Sequence, residues 1–234
     1  MSAKSDKLFQ KRRKSQKAMV RRPASLTTKR RVLIVSEGEV TEHDYFEALK
    51  SHLDLKAVEL KICGKECDSS PMAVVRYALD RAAKEGAHDQ GGYNDVYCVF
   101  DRDTHVDFEK AHSEIFKANK PRSGFKGEKI MAIPSHPSFE FWLLLHFVYT
   151  RTPFAATGGK TVAEVVTSEL KKHKPFEEFT KSLTKKMLEV LLENTDTAIQ
   201  YAEKIKQDAE TTGDLNPSTD VHVLVKALYD LQEQ

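Results

Sequence analysis

Three acidic stretches carry the chemistry this sequence could perform. Glu37 follows the apolar run Val32-Leu33-Ile34-Val35 and stands beside Gly38, which permits a tight turn or a close backbone approach. Asp101 and Asp103 follow a second apolar run as Asp-Arg-Asp. In extended chain, residues i and i+2 point to the same side, so both carboxylates can face one site while Arg102 turns away as a surface charge. Glu140 lies in an apolar, aromatic stretch, where an acid is costly unless it is paired or coordinates a metal. It reads equally as a fourth metal ligand or orienter of the site and as the structural partner of an Arg, a Lys or a helix end. Carboxylates gathered together repel and raise each other's pKa values, and a divalent cation resolves that repulsion. Hard oxygen donors suit Mg²⁺ or Mn²⁺, and the matching chemistry is phosphoryl transfer or phosphodiester hydrolysis. Without a metal, Glu37 could act as a general acid or base. His105 is placed to orient a phosphate or a water, or to cap a helix.

The elements that must position these acids follow from the apolar periodicity. Residues 31–36, 58–63, 95–100 (closed by Asp101) and 129–133 read as strands, the first as an unbroken β-rich run suited to the centre of a parallel sheet. Between them lie three expected helices. One is capped by Thr41 with Tyr45, Phe46 and Leu49 inward. One begins at Pro71, and one spans 107–119 with Phe108, Ala111, Ile115 and Phe116 on a single face. Four strands alternating with three helices predict an α/β fold, a parallel four-stranded sheet flanked by helices with right-handed crossovers. Such sheets bind ligands at the carboxyl ends of their strands, where Glu37, Asp101 and Asp103 all fall. Beyond Pro134 the pattern turns helical: 138–148, 161–171, a long run over 184–210 broken near Asn194, and 218–232. The expected organisation is a basic arm over 1–30, an α/β core over 31–134, and an all-helical extension over 135–234 packed on or beside the core.

Of 234 residues, 40% are hydrophobic and 31% charged, which excludes disordered and fibrous classes and allows a core without disulfides or structural metal. Three cysteines make no even framework, and no apolar run reaches membrane length, so a soluble, reducing, cytoplasmic setting is expected, with no membrane partner. Residues 1–31 hold twelve Lys or Arg against the single acid Asp6, so the formal +2 divides into +11 on the arm and −9 on the body. A basic arm on an acidic body suits contact with nucleic acid through Lys11, Arg12, Arg13, Lys14, Arg21, Arg22, Arg30 and Arg31. Cys63 and Cys67 lack the further ligands of a zinc site, and Cys98 reads as a small core residue. Trp142, Phe139, Phe141 and Phe147 read as a core layer, and His146 as a satisfied interior residue. No phosphate-binding GxxxxGK[ST] loop occurs, so the chain itself carries no P-loop ATPase.

Four ordered stretches resemble RloB-like proteins: Val32 to Phe46 (VLIVSEGEVTEHDYF), Val99 to His105 (VFDRDTH), Ser135 to Phe147 (SHPSFEFWLLLHF) and Asn216 to His222 (NPSTDVH). That resemblance implies a Toprim-like domain, the fold of primases, topoisomerases and OLD-type nucleases, with Glu37, Asp101 and Asp103 as Mg²⁺-binding catalytic acids. Glu42 and His136, inside the quoted stretches, join His105 as accessory candidates. The family also implies phage defence of the abortive-infection type, beside an AAA or OLD-like ATPase encoded nearby. Departures from the pattern are Val40, where a Lys is frequent, His43-Asp44, His136 and Ser138; the first removes a phosphate contact that His43 or the arm could replace. The expected function is a Mg²⁺-dependent nuclease acting on DNA or RNA, with a homo-oligomer as one form of assembly. The alternatives are a non-catalytic nucleic-acid-binding adaptor of the ATPase and a nucleotide-directed phosphoryl hydrolase.

Overall fold

The computed structural model describes residues 30–62, 70–102 and 106–233. Asp103, His105, Cys63, Cys67 and the arm cations Lys11, Arg12, Arg13, Lys14, Arg21 and Arg22 lie outside the described residues.

Strand β1 (Val32–Ser36) sits centrally because it is apolar on both faces. Val32 and Ile34 enter one hydrophobic cluster, Leu33 and Val35 another. Its neighbours are β2 (Val58–Ile62) and β3 (Asp95–Asp101), both parallel to it, and β4 (Lys129–His136) runs parallel beside β3. A fifth strand, β5 (Ser218–Thr219), pairs antiparallel with the end of β4, so the sheet has order β2-β1-β3-β4-β5. The expected four-stranded parallel sheet is thereby corrected to five strands, mixed at one edge. Ser218 and Thr219 do not open the last helix as the periodicity suggests. Ser135 and Thr219 share a hydroxyl–hydroxyl hydrogen bond of 3.0 Å, and the Asp220 N–H donates to the Pro134 carbonyl at 2.9 Å. Pro134 therefore continues β4 instead of ending it, its missing N–H falling on the side away from β3.

Helix α1 (Thr41–His52) covers one face of the sheet; α2 (Pro71–Glu85) and α3 (Phe108–Ala118) cover the other. Ser70 caps α2 by accepting from the Ala73 N–H, and Pro71 occupies the first turn, where its lack of an N–H costs nothing. Thr41 does not cap α1: it is the first helical residue, and its hydroxyl donates instead to the Lys181 carbonyl at 2.7 Å. Phe116 departs from the expected inner face of α3 and is 66% exposed, with the Lys120 ammonium over its ring.

The residues after β4 form α4 (Glu140–Leu144), α5 (Val162–Leu170), α6 (Lys185–Glu193), α7 (Thr195–Thr212) and α8 (Val221–Gln232). Trp142, Val166, Leu191, Ala202 and Leu224 from these helices join Val32, Ile34, Tyr97 and Val99 of the sheet in one buried cluster, so this layer packs on the α1 face. The expected helix over 138–148 shortens to five residues. His146 Nδ1 bonds the Trp142 carbonyl at 3.0 Å, the acceptor that an α-helical His146 N–H would need, and that N–H turns to Leu143 instead. Phe139, Phe141 and Trp142 are buried as core, as is Cys98, while Phe147 is only partly covered. Among the described residues, no helix is long and apolar enough to cross a membrane.

Candidate functional site

The chain leaves β1 toward β2 and leaves β3 toward β4, on opposite sides, so the carboxyl ends of β1 and β3 diverge at a topological switch point. Open α/β sheets bind ligands in the crevice formed there. Glu37 leaves β1 with its backbone N–H still bonded to the Val99 carbonyl of β3 at 3.1 Å. Asp101 closes β3 and shares the parity of Tyr97 and Val99, which directs it to the α1 face. The Phe139 backbone N–H, just before α4, donates to the Asp101 carboxylate, and the next residue is Glu140. These two predicted acids and Glu140 thus converge from three segments.

Glu42 completes the group. It is the second residue of α1 and is buried, 7% exposed, while Glu37, Asp101 and Glu140 are half-buried. Its carboxylate lies against Gly38, where an added Cβ would stand 1.7 Å from Oε2. Gly38 is therefore required for the close approach of side chain and backbone, and the Gly38 carbonyl is fixed by the Ser36 hydroxyl at 3.2 Å. Burial, then the charges of Glu140 and Glu37, push the Glu42 carboxyl up to about 7. Burial, then Glu42, Glu140 and Glu37, hold Asp101 well above the usual carboxylate range. Among the described residues, Glu140 has no ion-pair partner.

Among the described residues, Lys181 is a cation that acts on this group. Lys181 lowers the proton affinity of Glu42. It belongs to the turn between α5 and α6, and two contacts seat that turn on α1. Thr41 donates to the Lys181 carbonyl, and Asp44 accepts from the Ser182 hydroxyl at 3.1 Å and the Leu183 N–H at 3.0 Å. No sequence signal marks Lys181, because it lies 139 residues from Glu42, the acid it serves. Glu42 had a fainter signal: five residues beyond Glu37 and in the first turn of a helix.

The remaining predicted residues are placed elsewhere. His136 closes β4 but turns its ring toward Phe108 on the opposite face, at 5.5 Å between centroids, and burial lowers it to about 4. Arg30 and Arg31 stand at the amino end of the sheet, Arg30 paired with Asp95 (2.8 Å) and Glu128 (2.9 Å), Arg31 with Glu85 (3.3 Å) and Glu59 (3.6 Å). Arg102 pairs with Glu109 at 3.1 Å over the Phe108 ring, away from the acids. His43 stands beside Asp44 at 4.0 Å.

The donor set fits a hard divalent cation: oxygen-only ligands, two of them with proton affinity raised by burial and then by neighbouring acids, and a cradle a Cβ would fill. Among the described residues, however, no three His, Cys, Asp or Glu side chains stand in the arrangement of a metal-holding group.

A family model described as RloB-like protein matches residues 32–228. No curated protein and no solved structure matches the chain. The family match begins at β1 and ends in α8, and so contains all four acids and Lys181; the chain belongs to the RloB-like family.

Proposed function

We propose that the protein is a Mg²⁺- or Mn²⁺-dependent nuclease of the Toprim type, hydrolysing phosphodiester bonds of DNA or RNA in abortive-infection defence. The observation that carries this reading is the burial of Glu42 and Asp101 among Glu37 and Glu140 at the switch point, where Glu42 rises to about 7. A structural role would favour neutralising such a cluster with arginines, as happens elsewhere in this molecule. Carboxylates that raise one another's proton affinity in a crevice suit a site that a cation completes.

Glu37, Glu42, Asp101 and Glu140 would hold the ion, with Mg²⁺ keeping several of its waters, so that fewer direct carboxylate contacts are needed than in an all-protein cage. When bound, the ion would polarise the phosphate and stabilise charge on the attacking or leaving oxygen. The chain's own groups do the rest. The Phe139 N–H orients Asp101, and Gly38 gives Glu42 its room. Lys181 supplies a positive charge at the crevice mouth, the role vacated by Val40. The basic arm would hold the polyanion that the body's −9 otherwise repels.

The test is cleavage of plasmid, single-stranded DNA and tRNA by the full chain with Mg²⁺ or Mn²⁺, against Asp101→Asn and Glu37→Gln. Divalent-dependent cleavage lost in both variants supports the reading. Cleavage retained in both refutes this site. Deleting residues 1–29 should weaken binding and flatten its salt dependence without changing the metal requirement.

A further inference from the structure

On the other face of the sheet from the acids, a cavity of about 220 Å³ opens between α3, the end of β4, α7 and the turn leading to β5. Phe108, Pro134, Ala209 and Leu215 give it apolar walls, and Leu215 at its lip is 43% exposed. The polar groups that line it are the imidazoles of His112 and His136, the pair Lys206–Asp220, closed at 2.5 Å, the Glu210 carboxylate, and Ser218, whose hydroxyl already donates to the Leu215 carbonyl.

Two features call for a ligand. His112 Nε2 is buried and has no hydrogen-bond partner. His136 is 7% exposed, and no hydrogen bond joins either of its ring nitrogens to the described residues. A buried ring nitrogen is normally satisfied, and one left open at a cavity that a second imidazole also lines is a vacant position for a partner from outside. The chemistry of the occupant follows by elimination. A phosphate would find no uncompensated positive charge, since Lys206 is already neutralised by Asp220. Among the described residues, a metal would find two imidazoles but no free carboxylate beside them in a metal-holding arrangement, Asp220 being closed onto Lys206. What fits is a flat, uncharged, aromatic ring with both donors and acceptors on its edge. The Phe108 ring, 4.6 Å from His112 and 5.5 Å from His136 between centroids, gives it an aromatic wall.

We propose that this cavity takes one unstacked nucleobase, so that the substrate is a single-stranded polynucleotide bound across the carboxyl edge of the sheet. The inference rests on the nuclease reading and narrows it. His136 directly follows Ser135, and Ser135 is the register partner of Asp101 on β3, so cavity and acids are one strand apart at the same edge. A base can enter such a pocket only when splayed from its neighbours, which single strands allow and duplexes resist.

The direct test follows the ring nitrogens of His112 and His136 by NMR in the full chain, titrated with nucleoside monophosphates, single-stranded oligonucleotides and the corresponding duplexes. Shifts at both rings with single strands, absent with duplex, are expected. Shifts with mononucleotides alone would make the source a free nucleotide and overturn the single-strand assignment. Leu215→Trp, which blocks the lip from an exposed position, should weaken single-strand binding roughly 10-fold, the size of one lost base contact. Mn²⁺ binding should be unchanged in that variant. Silent histidine rings with every probe, together with single-strand affinity unaltered by Leu215→Trp, would overturn the pocket. Loss of Mn²⁺ binding in the wild type would instead refute the metal site and leave the ring shifts to judge the pocket.

Discussion

At the amino end of the sheet, Glu59 stands among Lys61 (3.1 Å), Arg81 (2.9 Å) and Arg31 (3.6 Å) and accepts from the Tyr93 hydroxyl; Asp95 is paired with Arg30. At the carboxyl end, Glu42 and Asp101 stand among acids, with Lys181 a nearby cation among the described residues. Burial acts on both ends in the same direction and raises carboxyl pKa values. At the amino end, the Tyr93, Arg81 and Lys61 hydrogen bonds overcome it and hold Glu59 at about 2. At the carboxyl end the neighbouring charges add to it, and Glu42 reaches about 7. The chain can neutralise a buried acid and does so where structure alone is at stake. On the proposed function, the contrast separates an end of the sheet held by ion pairs from an end where the chemistry would take place.

The largest expected effect is on cleavage. Asp101→Asn should lower divalent-dependent hydrolysis roughly 1,000-fold, a loss of several kcal/mol of charge stabilisation, while raising the melting temperature of the metal-free protein by relieving repulsion. Cleavage and thermal melts read both, and an unchanged rate would break the assignment.

Next comes pH. Glu42 is raised in the folded protein, so its stabilising proton is fully present below about 4.5 and lost as pH rises through about 7, a change on the order of 3 kcal/mol. His136 and His146, both lowered to about 4, contribute with the opposite sign in the same window. The Glu42 share is therefore the difference between wild type and Glu42→Gln in denaturant titrations from pH 4.5 to 8. That difference should shrink when Mg²⁺ is added.

At the opposite end, Glu59→Gln should cost about 1–2 kcal/mol in denaturant unfolding by weakening the hydrogen bonds from Tyr93 and Arg81, with cleavage unchanged. The Glu59 contribution is present above about 4.5 and lost as pH falls toward about 2, the mirror of Glu42. A matching loss of activity in Glu59→Gln would blur the division. The smallest effect is expected at Lys181. Lys181→Ala should raise KM about 5-fold with kcat little changed, and Lys181→Arg should restore it, as steady-state kinetics would show.

Much of the α/β half was legible because its signals are local. The two-sided apolar run of β1 and the Pro71 helix start, and in the helical half the break at Asn194, each lie within a few residues of the structure they produce. That Glu37 and Asp101 stand together at the carboxyl ends of β1 and β3 was legible because each follows an apolar strand run. What escaped was settled by distant contacts. Two residues of β5 have no periodicity to read, and only pairing with β4 makes them a strand. Thr41 looks like a cap until Lys181 offers its hydroxyl a better acceptor. The 138–148 helix stops early because one side chain, His146, takes a carbonyl the helix needs. Glu42 was legible only as an accessory candidate, and Lys181 reaches it through packing of α1 against a turn from the far end of the chain, which no window of sequence contains.

The central claim is that the four acids at the carboxyl end form a divalent-cation site. Titration of Mn²⁺ into the full-length protein at pH 7.5, followed by electron paramagnetic resonance, tests it without requiring a substrate. Saturable binding should be seen in the wild type and in Glu59→Gln, and should be lost in Asp101→Asn. Equal Mn²⁺ uptake by wild type and Asp101→Asn would contradict the account.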